Sequence, residues 1–176
     1  MFIVNLNVPY KPQTDNLYRP SATCNLTSVA MCLAFLGIGR KPEYSRFAQF
    51  EDELFQFARD NGYSIFDPLD LSRIMISYGA NNNVSYNSTV AEMKEHLDSG
   101  YPCIVHGYFT RSGHIVVVRG YDDKGCFVND PWGEWFYDGY RNHGLGENLH
   151  YSWSLMERTC WYDGQFWLHR VKRRSV

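Results

Sequence analysis

The chain has 176 residues, of which 44% are hydrophobic and 20% charged, and carries a net charge of −2; this is the size and composition of one globular domain spanning residues 1–176 with a core of its own. The near-neutral balance gives no basis for nucleic acid or an anionic membrane as partner, and the four cations between Arg170 and Arg174 read as a solubilising tail. The first ten residues hold no charged leader, and the longest apolar stretch, Ser28 to Ile38, falls short of the roughly 20 residues that cross a bilayer, so the expectation is a cytoplasmic protein, released by lysis if it acts outside the cell.

Phe2 to Val8 alternates loosely and predicts a short strand ending at Pro9. Lys11 to Thr23 is a polar loop. Thr23 or Cys24 then opens a helix that runs to Leu36, with Val29, Cys32, Leu33 and Leu36 at helical spacing and Gly37 and Gly39 as its stop. A second helix is predicted over about Tyr44 to Asp60, its buried stripe formed by Phe47, Phe50, Leu54 and Phe57. A third starts after Asp67-Pro68, with proline in its first turn, and ends before Gly79. Val84 to Tyr86 is a brief strand. Ser88 or Thr89 caps a fourth helix, with Glu92 placed for a capping box and Gly100 ending it.

From there the pattern changes to strands. Pro102 to Phe109 and His114 to Tyr121 form a hairpin about the turn Thr110 to Gly113. Cys126 to Asn129 follows a tight turn at Asp123 to Gly125. Glu134 to Tyr137 is a candidate for further pairing, Asp138 to Ser154 is a glycine- and asparagine-rich loop, Ser154 to Arg158 suits a helical turn, and Gln165 to Val171 reads as a closing strand. Helices first, then an antiparallel meander, is an α+β layout.

Five cysteines with no Cys-x-x-Cys pair argue against a zinc or redox site, and no metal or cofactor is expected. Cys32, Cys103, Cys126 and Cys160 lie in apolar or aromatic surroundings and read as small core residues. Cys24 differs by position. A thiol attacks as its thiolate, and a helix N-terminus and a neighbouring imidazolium both favour that form. His114 opens a strand 90 residues further on, at a sheet edge where an imidazole can face a cleft. With Phe109 opposite His114, His106 falls opposite Val117, deeper in the sheet, and ranks as a core or supporting residue. Asp130 follows the neighbouring strand at the end that meets the start of the His114 strand, so its carboxylate can take the imidazole N–H; Asn129 is the alternative. Gln13, in the loop before the helix, can donate to a developing oxyanion together with the Cys24 backbone N–H.

These segments resemble those of a known family. Asn7-Val8-Pro9-Tyr10-Lys11-Pro12-Gln13-Thr14-Asp15-Asn16, Cys24 with Thr27-Ser28-Val29-Ala30-Met31, Gly113 to Asp122 and Asn129-Asp130-Pro131-Trp132-Gly133 are similar to the opening, nucleophile helix, histidine strand and aspartate turn of papain-fold cysteine peptidases related to the bacteriocin-processing, double-glycine-leader peptidases. The resemblance implies a papain-like fold with N-terminal helices packed on an antiparallel sheet. It also implies cleavage of a peptide or related amide bond without a metal. Cys24 would be nucleophile, His114 general base and acid, Asp130 its orienter and Gln13 the oxyanion donor. Asn25 and Leu26 stand where that family has glycine and proline, which predicts a bulkier cleft floor. The transporters that carry such peptidases add membrane spans and an ATP-binding domain, neither of which is seen here. Stand-alone relatives in bacteria and phages suggest a peptidoglycan-cleaving amidase or endopeptidase as one alternative, with the tryptophan-rich last third holding the wall polymer; a catalytically silent binding module is the other. The segment from Tyr140 to Gln165 is expected to roof the cleft.

Overall fold

The computed structural model describes residues 3–141 and 145–174. In chain order its elements are β1 (Val4–Asn5), α1 (Cys24–Phe35), a 3-10 turn (Pro42–Tyr44), α2 (Phe50–Asp60), α3 (Pro68–Ser77), β2 (Ala80–Ser85), α4 (Val90–Asp98), β3 (Cys103–Gly107), β4 (His114–Tyr121), β5 (Gly125–Asn129), β6 (Glu134–Phe136), β7 (Gly139–Arg141), β8 (Leu149–Ser152), α5 (Trp153–Met156), a π turn (Glu157–Trp161) and β9 (Leu168–Arg173). The α+β layout is as expected. The strand order β2-β9-β3-β4-β5-β8 forms one antiparallel sheet, which β1 joins by pairing with the far end of β4.

Both faces of this sheet are covered. Ile104, Ile115, Val117 and Val171 pack with α1, α2 and α3, while Cys103, Val105, Val116 and Val118 pack with α4 and the α5 region. The alternation along β3 and β4 is the ordinary two-residue period of a strand. Because neither face meets water, every residue of β4 is buried, which is why its stretch from Ile115 to Val118 is apolar without alternation. Helix α1 is likewise more deeply set than a one-sided stripe implies: Asn25 through Leu33 are all buried, so it is the central helix of its layer.

Local signals account for several boundaries. Thr89 and Glu92 form the capping box reciprocally, and the Asp67 carboxylate accepts the Leu69 N–H at the start of α3. Helix α2 is shorter than the sequence pattern suggests and starts at Phe50. The carbonyls of Tyr44, Phe47 and Ala48 are taken by the Arg40 guanidinium instead of continuing a helix. The acids of the first α2 turn are buried anchors: Glu51 pairs with Lys11 at 3.1 Å, Asp52 accepts the Leu17 and Tyr18 N–H groups, and Glu53 accepts from Arg40 Nε, Lys41 N and Tyr78 Oη at 2.7, 2.7 and 2.9 Å. Two of them fasten the loop that carries Gln13. Glu53 is fully buried, and Glu53→Ala would strand three donors; a loss of about 3 kcal/mol in a urea melt is expected, the low end for breaking a buried ion pair because Arg40 is partly solvated.

Three other expectations change. The Asp138–Ser154 loop contains β7, which pairs with β6, and β8, which extends the sheet beyond β5; residues 142–144 of that loop, like Phe2 of the first predicted strand, lie outside the described residues. The closing strand β9 begins at Leu168 and inserts between β2 and β3, so Arg170, Lys172 and Arg173 belong to a strand and not to a free tail. The hairpin register differs as well: Gly107, not Phe109, pairs with His114, and His106 pairs with Ile115, not Val117. The connection is a six-residue loop in which Tyr108 N–H bonds Thr159 O and Thr110 Oγ1 bonds Gly113 O, drawing the chain off the ladder before Phe109.

Candidate active site

Cys24 is the first residue of α1 and is half-buried. Thr23 occupies the N-cap, but its hydroxyl is committed backwards, donating to Arg19 O at 3.1 Å and accepting from Asn16 Nδ2 at 2.8 Å. The Thr23 side chain makes no cap hydrogen bond, and Asn25 Oδ1 takes the Leu26 N–H at 2.8 Å. The Cys24 and Asn25 amides and the positive end of the helix dipole are left to whatever binds at Cys24.

His114 and Asp130 meet across the sheet edge, with His114 Nε2–H donating to Asp130 Oδ1 at 2.7 Å. This fixes the tautomer and leaves Nδ1 unused by Asp130, with Cys24 lining the same cleft and its charge acting on the ring. Burial alone would lower the imidazole's pKa; the Asp130 carboxylate and the Cys24 sulfur outweigh it and push it up to about 10. Asp130 is fully buried, and its oxygens accept four hydrogen bonds. Oδ1 also takes the Trp132 N–H at 3.0 Å, and Oδ2 takes the hydroxyls of Tyr140 at 2.8 Å and Tyr151 at 3.0 Å. Burial and the carboxylate's charge hold both tyrosines far above their ordinary pKa, so they stay donors. The Tyr140 ring also stands edge-on to His114, centroids 5.4 Å apart.

The backbone around Asp130 is clamped in turn. Asp130 N–H bonds Gly146 O at 2.8 Å, and the Tyr10 hydroxyl bridges the other way, donating to Asp130 O and accepting from Gly146 N–H. A Cβ at Gly146 would lie 1.9 Å from Asp130 O, so only glycine allows this approach.

Gln13 sits in the same cleft and is buried. Its N–H bonds Pro131 O, tying its loop to the aspartate turn. Nε2 donates to Pro20 O at 2.7 Å, which leaves a second N–H on that nitrogen, while the buried Oε1 has no partner among the described residues. Asn129, the alternative orienter, faces elsewhere, with Nδ2 on Val8 O and Oδ1 accepting from Asn148 N and Arg119.

The floor beside the thiol differs from expectation at one of two positions. Leu26 is wholly in the core; Asn25 alone borders the cleft, and its amide is held by Ile65 O at 2.5 Å. The cleft has a volume of about 520 Å³ and is bordered by Gln13, Cys24, His106, His114, Trp132 and Trp167 among others. His106 thus reaches the cleft wall, a consequence of the shifted hairpin register. Cys32, Cys103, Cys126 and Cys160 are buried as expected, and burial raises the pKa of each. Sequence reasoning missed Tyr140 and Tyr151, which fall in a stretch with neither a motif nor a periodic pattern. Among the described residues no group of three or more His, Cys, Asp or Glu side chains is arranged to hold a metal ion, and no helix is long and apolar enough to cross a membrane.

A half-buried thiol at an uncapped helix start, facing a carboxylate-bound imidazole, is the arrangement a cysteine hydrolase needs. Residues 5–160 match the Peptidase C39-like family, and the chain belongs to that family. Among solved structures, it is similar to a protein described as a C39-like peptidase from Bacillus anthracis, with 17% identity, a TM-score of 0.60, and coverage of 99% of this chain and 100% of that one. A second similar structure is a double-glycine-motif protease from an AMS/PCAT transporter, solved in complex with a leader peptide, with 20% identity, a TM-score of 0.56, and coverage of 97% and 94%. These likenesses show the papain-like fold. No protein with a curated description matches the sequence.

Proposed function

We propose that the protein is a cysteine peptidase-like hydrolase acting on a peptide or related amide bond. The observation that carries this reading is His114, held by Asp130 through Nε2 and lining the same cleft as Cys24. The Cys24 thiolate attacks the carbonyl carbon. The oxyanion is taken by the Cys24 backbone N–H and the second N–H of Gln13 Nε2. Protonated His114 gives its proton to the leaving amine, and an acyl-enzyme remains. His114, now neutral, draws a proton from water as its oxygen attacks the acyl carbon; the C–S bond then breaks, which releases the acid and restores the thiolate–imidazolium pair. Asp130 keeps the ring in one tautomer throughout, steadied by Tyr140, Tyr151 and the Trp132 N–H. Because one structural neighbour was solved with a leader peptide, peptides are the first substrates to try.

The test is a digest of peptide libraries and, separately, of purified peptidoglycan, with Cys24→Ala as control. Peptide cleavage that disappears in the variant supports the reading. Clearing of cell walls alone would move the substrate to peptidoglycan, and no turnover of either would favour a binding module. The pH profile gives a second check. His114 is protonated in the folded protein up to about 10 against about 6.5 in the unfolded chain, so its proton stabilises the fold fully below about 6.5 and this contribution is lost as pH rises through about 10. The acid that protonates the leaving group is lost over the same interval. The alkaline limb of kcat/KM is therefore expected near pH 10; a limb at the ordinary histidine value would contradict the assignment.

A further inference from the structure

Three polar side chains form a row across the face of the sheet that α1, α2 and α3 cover, hydrogen-bonded to one another. Asn82 on β2 donates from Nδ2 to His169 Nδ1 on β9 at 3.0 Å, and His169 Nε2 meets His106 Nε2 on β3 at 3.0 Å. Asn82 and His169 are 8% and 0% exposed, and the two imidazoles stack with centroids 5.1 Å apart. The hydrogen bonds set the tautomers one after another. With Asn82 donating, His169 Nδ1 accepts and its proton is on Nε2; that proton meets His106 Nε2, so the proton of His106 is on Nδ1. Burial lowers His106 to about 4, and burial together with His106 lowers His169 well below the ordinary value, so both rings are neutral. A buried polar row costs stability relative to the apolar residues that fill the rest of this face, and the Cys24, His114 and Asp130 site makes no use of it. Its one end open to ligand is His106, which borders the cleft beside Ile115 and Trp167 and whose Nδ1 has no protein partner among the described residues.

We propose that His106 is a substrate-binding residue of the Cys24 cleft, its Nδ1–H donating to a backbone carbonyl of a bound peptide while Ile115 and Trp167 supply apolar walls. A neutral donor of fixed direction suits an uncharged amide oxygen better than a carboxylate, which an imidazolium would hold more strongly. The inference rests on the reading of Cys24 as the nucleophile.

The test compares two reagents on Cys24. Iodoacetamide reports the thiol alone. A set of dipeptidyl chloromethyl ketones, with and without reduction of the internal carbonyl to methylene, reports the thiol and the cleft together. For His106→Leu the alkylation rate with the intact dipeptidyl probe is expected to fall about tenfold, the scale of one lost hydrogen bond, with the iodoacetamide rate unchanged. His106→Asn, whose Nδ2 can stand in for Nδ1–H, is expected to recover most of that loss. The reduced probe is expected to react slowly with wild type and indifferently to the substitution. An unchanged dipeptidyl rate in His106→Leu, or an equal fall with both reagents, would overturn the subsite alone. Failure of iodoacetamide to modify Cys24 in wild type would overturn the hydrolase reading and this one with it.

Discussion

Cys24→Ala is expected to lower turnover about 10⁶-fold, the scale seen when a serine nucleophile is removed from a comparable triad, or about 8 kcal/mol of transition-state stabilisation. The loss is expected without unfolding. Cys24 is only half-buried, alanine is the better helix former, and the helix start has no side-chain cap to disturb. The same variant should stop iodoacetamide labelling of the native protein at neutral pH. The other four cysteines are buried and their thiols are held protonated by that burial. Labelling of native wild type is therefore expected at one site, found by mass spectrometry at Cys24. Wild-type turnover in Cys24→Ala would end the assignment.

The second large effect is expected at Asp130. In Asp130→Ala, His114 loses its acceptor, and the hydroxyls of Tyr140 and Tyr151 and the Trp132 N–H lose the fully buried carboxylate they share. A fall of about 3 × 10⁴-fold in kcat, the scale found when the orienting aspartate of a serine triad is removed, should accompany a stability loss of about 3–5 kcal/mol, the range for a broken buried pair. Asp130→Asn separates the two contributions. Its Oδ1 can still take the His114 N–H, as an asparagine does in some cysteine proteases, and the two tyrosines can turn to accept from its amide. It should retain much more activity than the alanine variant. Without the carboxylate's charge, the largest of the influences that raise His114 is gone, so the alkaline limb should move to lower pH. If Asp130→Ala keeps both wild-type turnover and the wild-type limb, Asp130 has no part in the chemistry.

The candidate site was largely legible in the sequence because its residues sit where elements begin and end, and ends carry local signals. Cys24 follows a threonine and precedes an apolar helix, His114 follows a glycine turn and precedes valines, and Asp130 precedes a proline. The capping box at Thr89 and Glu92 was readable for the same reason. Contacts distant in sequence were not legible. Tyr140 and Tyr151 reach Asp130 from strands of three and four residues, too short to show a period among glycines and asparagines. The start of α2 depends on Arg40 taking carbonyls, a tertiary contact that overrides propensity. A four-residue turn puts His106 in the sheet interior, whereas the chain makes a longer loop and pairs His106 with Ile115. Two residues of register were enough to move a side chain from the sheet interior to the cleft wall.

The position of β9 bears on the order in which the molecule can be assembled during synthesis. Helix α1 packs directly against β4, so Cys24 and His114 can come together from residues translated by Asp130. The cleft wall cannot. β3 keeps an unpaired edge until β9 arrives, and with β9 come Trp167, whose carbonyl takes the His106 N–H, and His169, which holds the His106 ring. The candidate reactive pair is thus built from the earlier part of the chain and the proposed substrate-binding wall from the later part. A chain truncated between Asp130 and Leu168 would have the Cys24 thiol and the His114 imidazole in reach of each other but only one side of the proposed peptide groove.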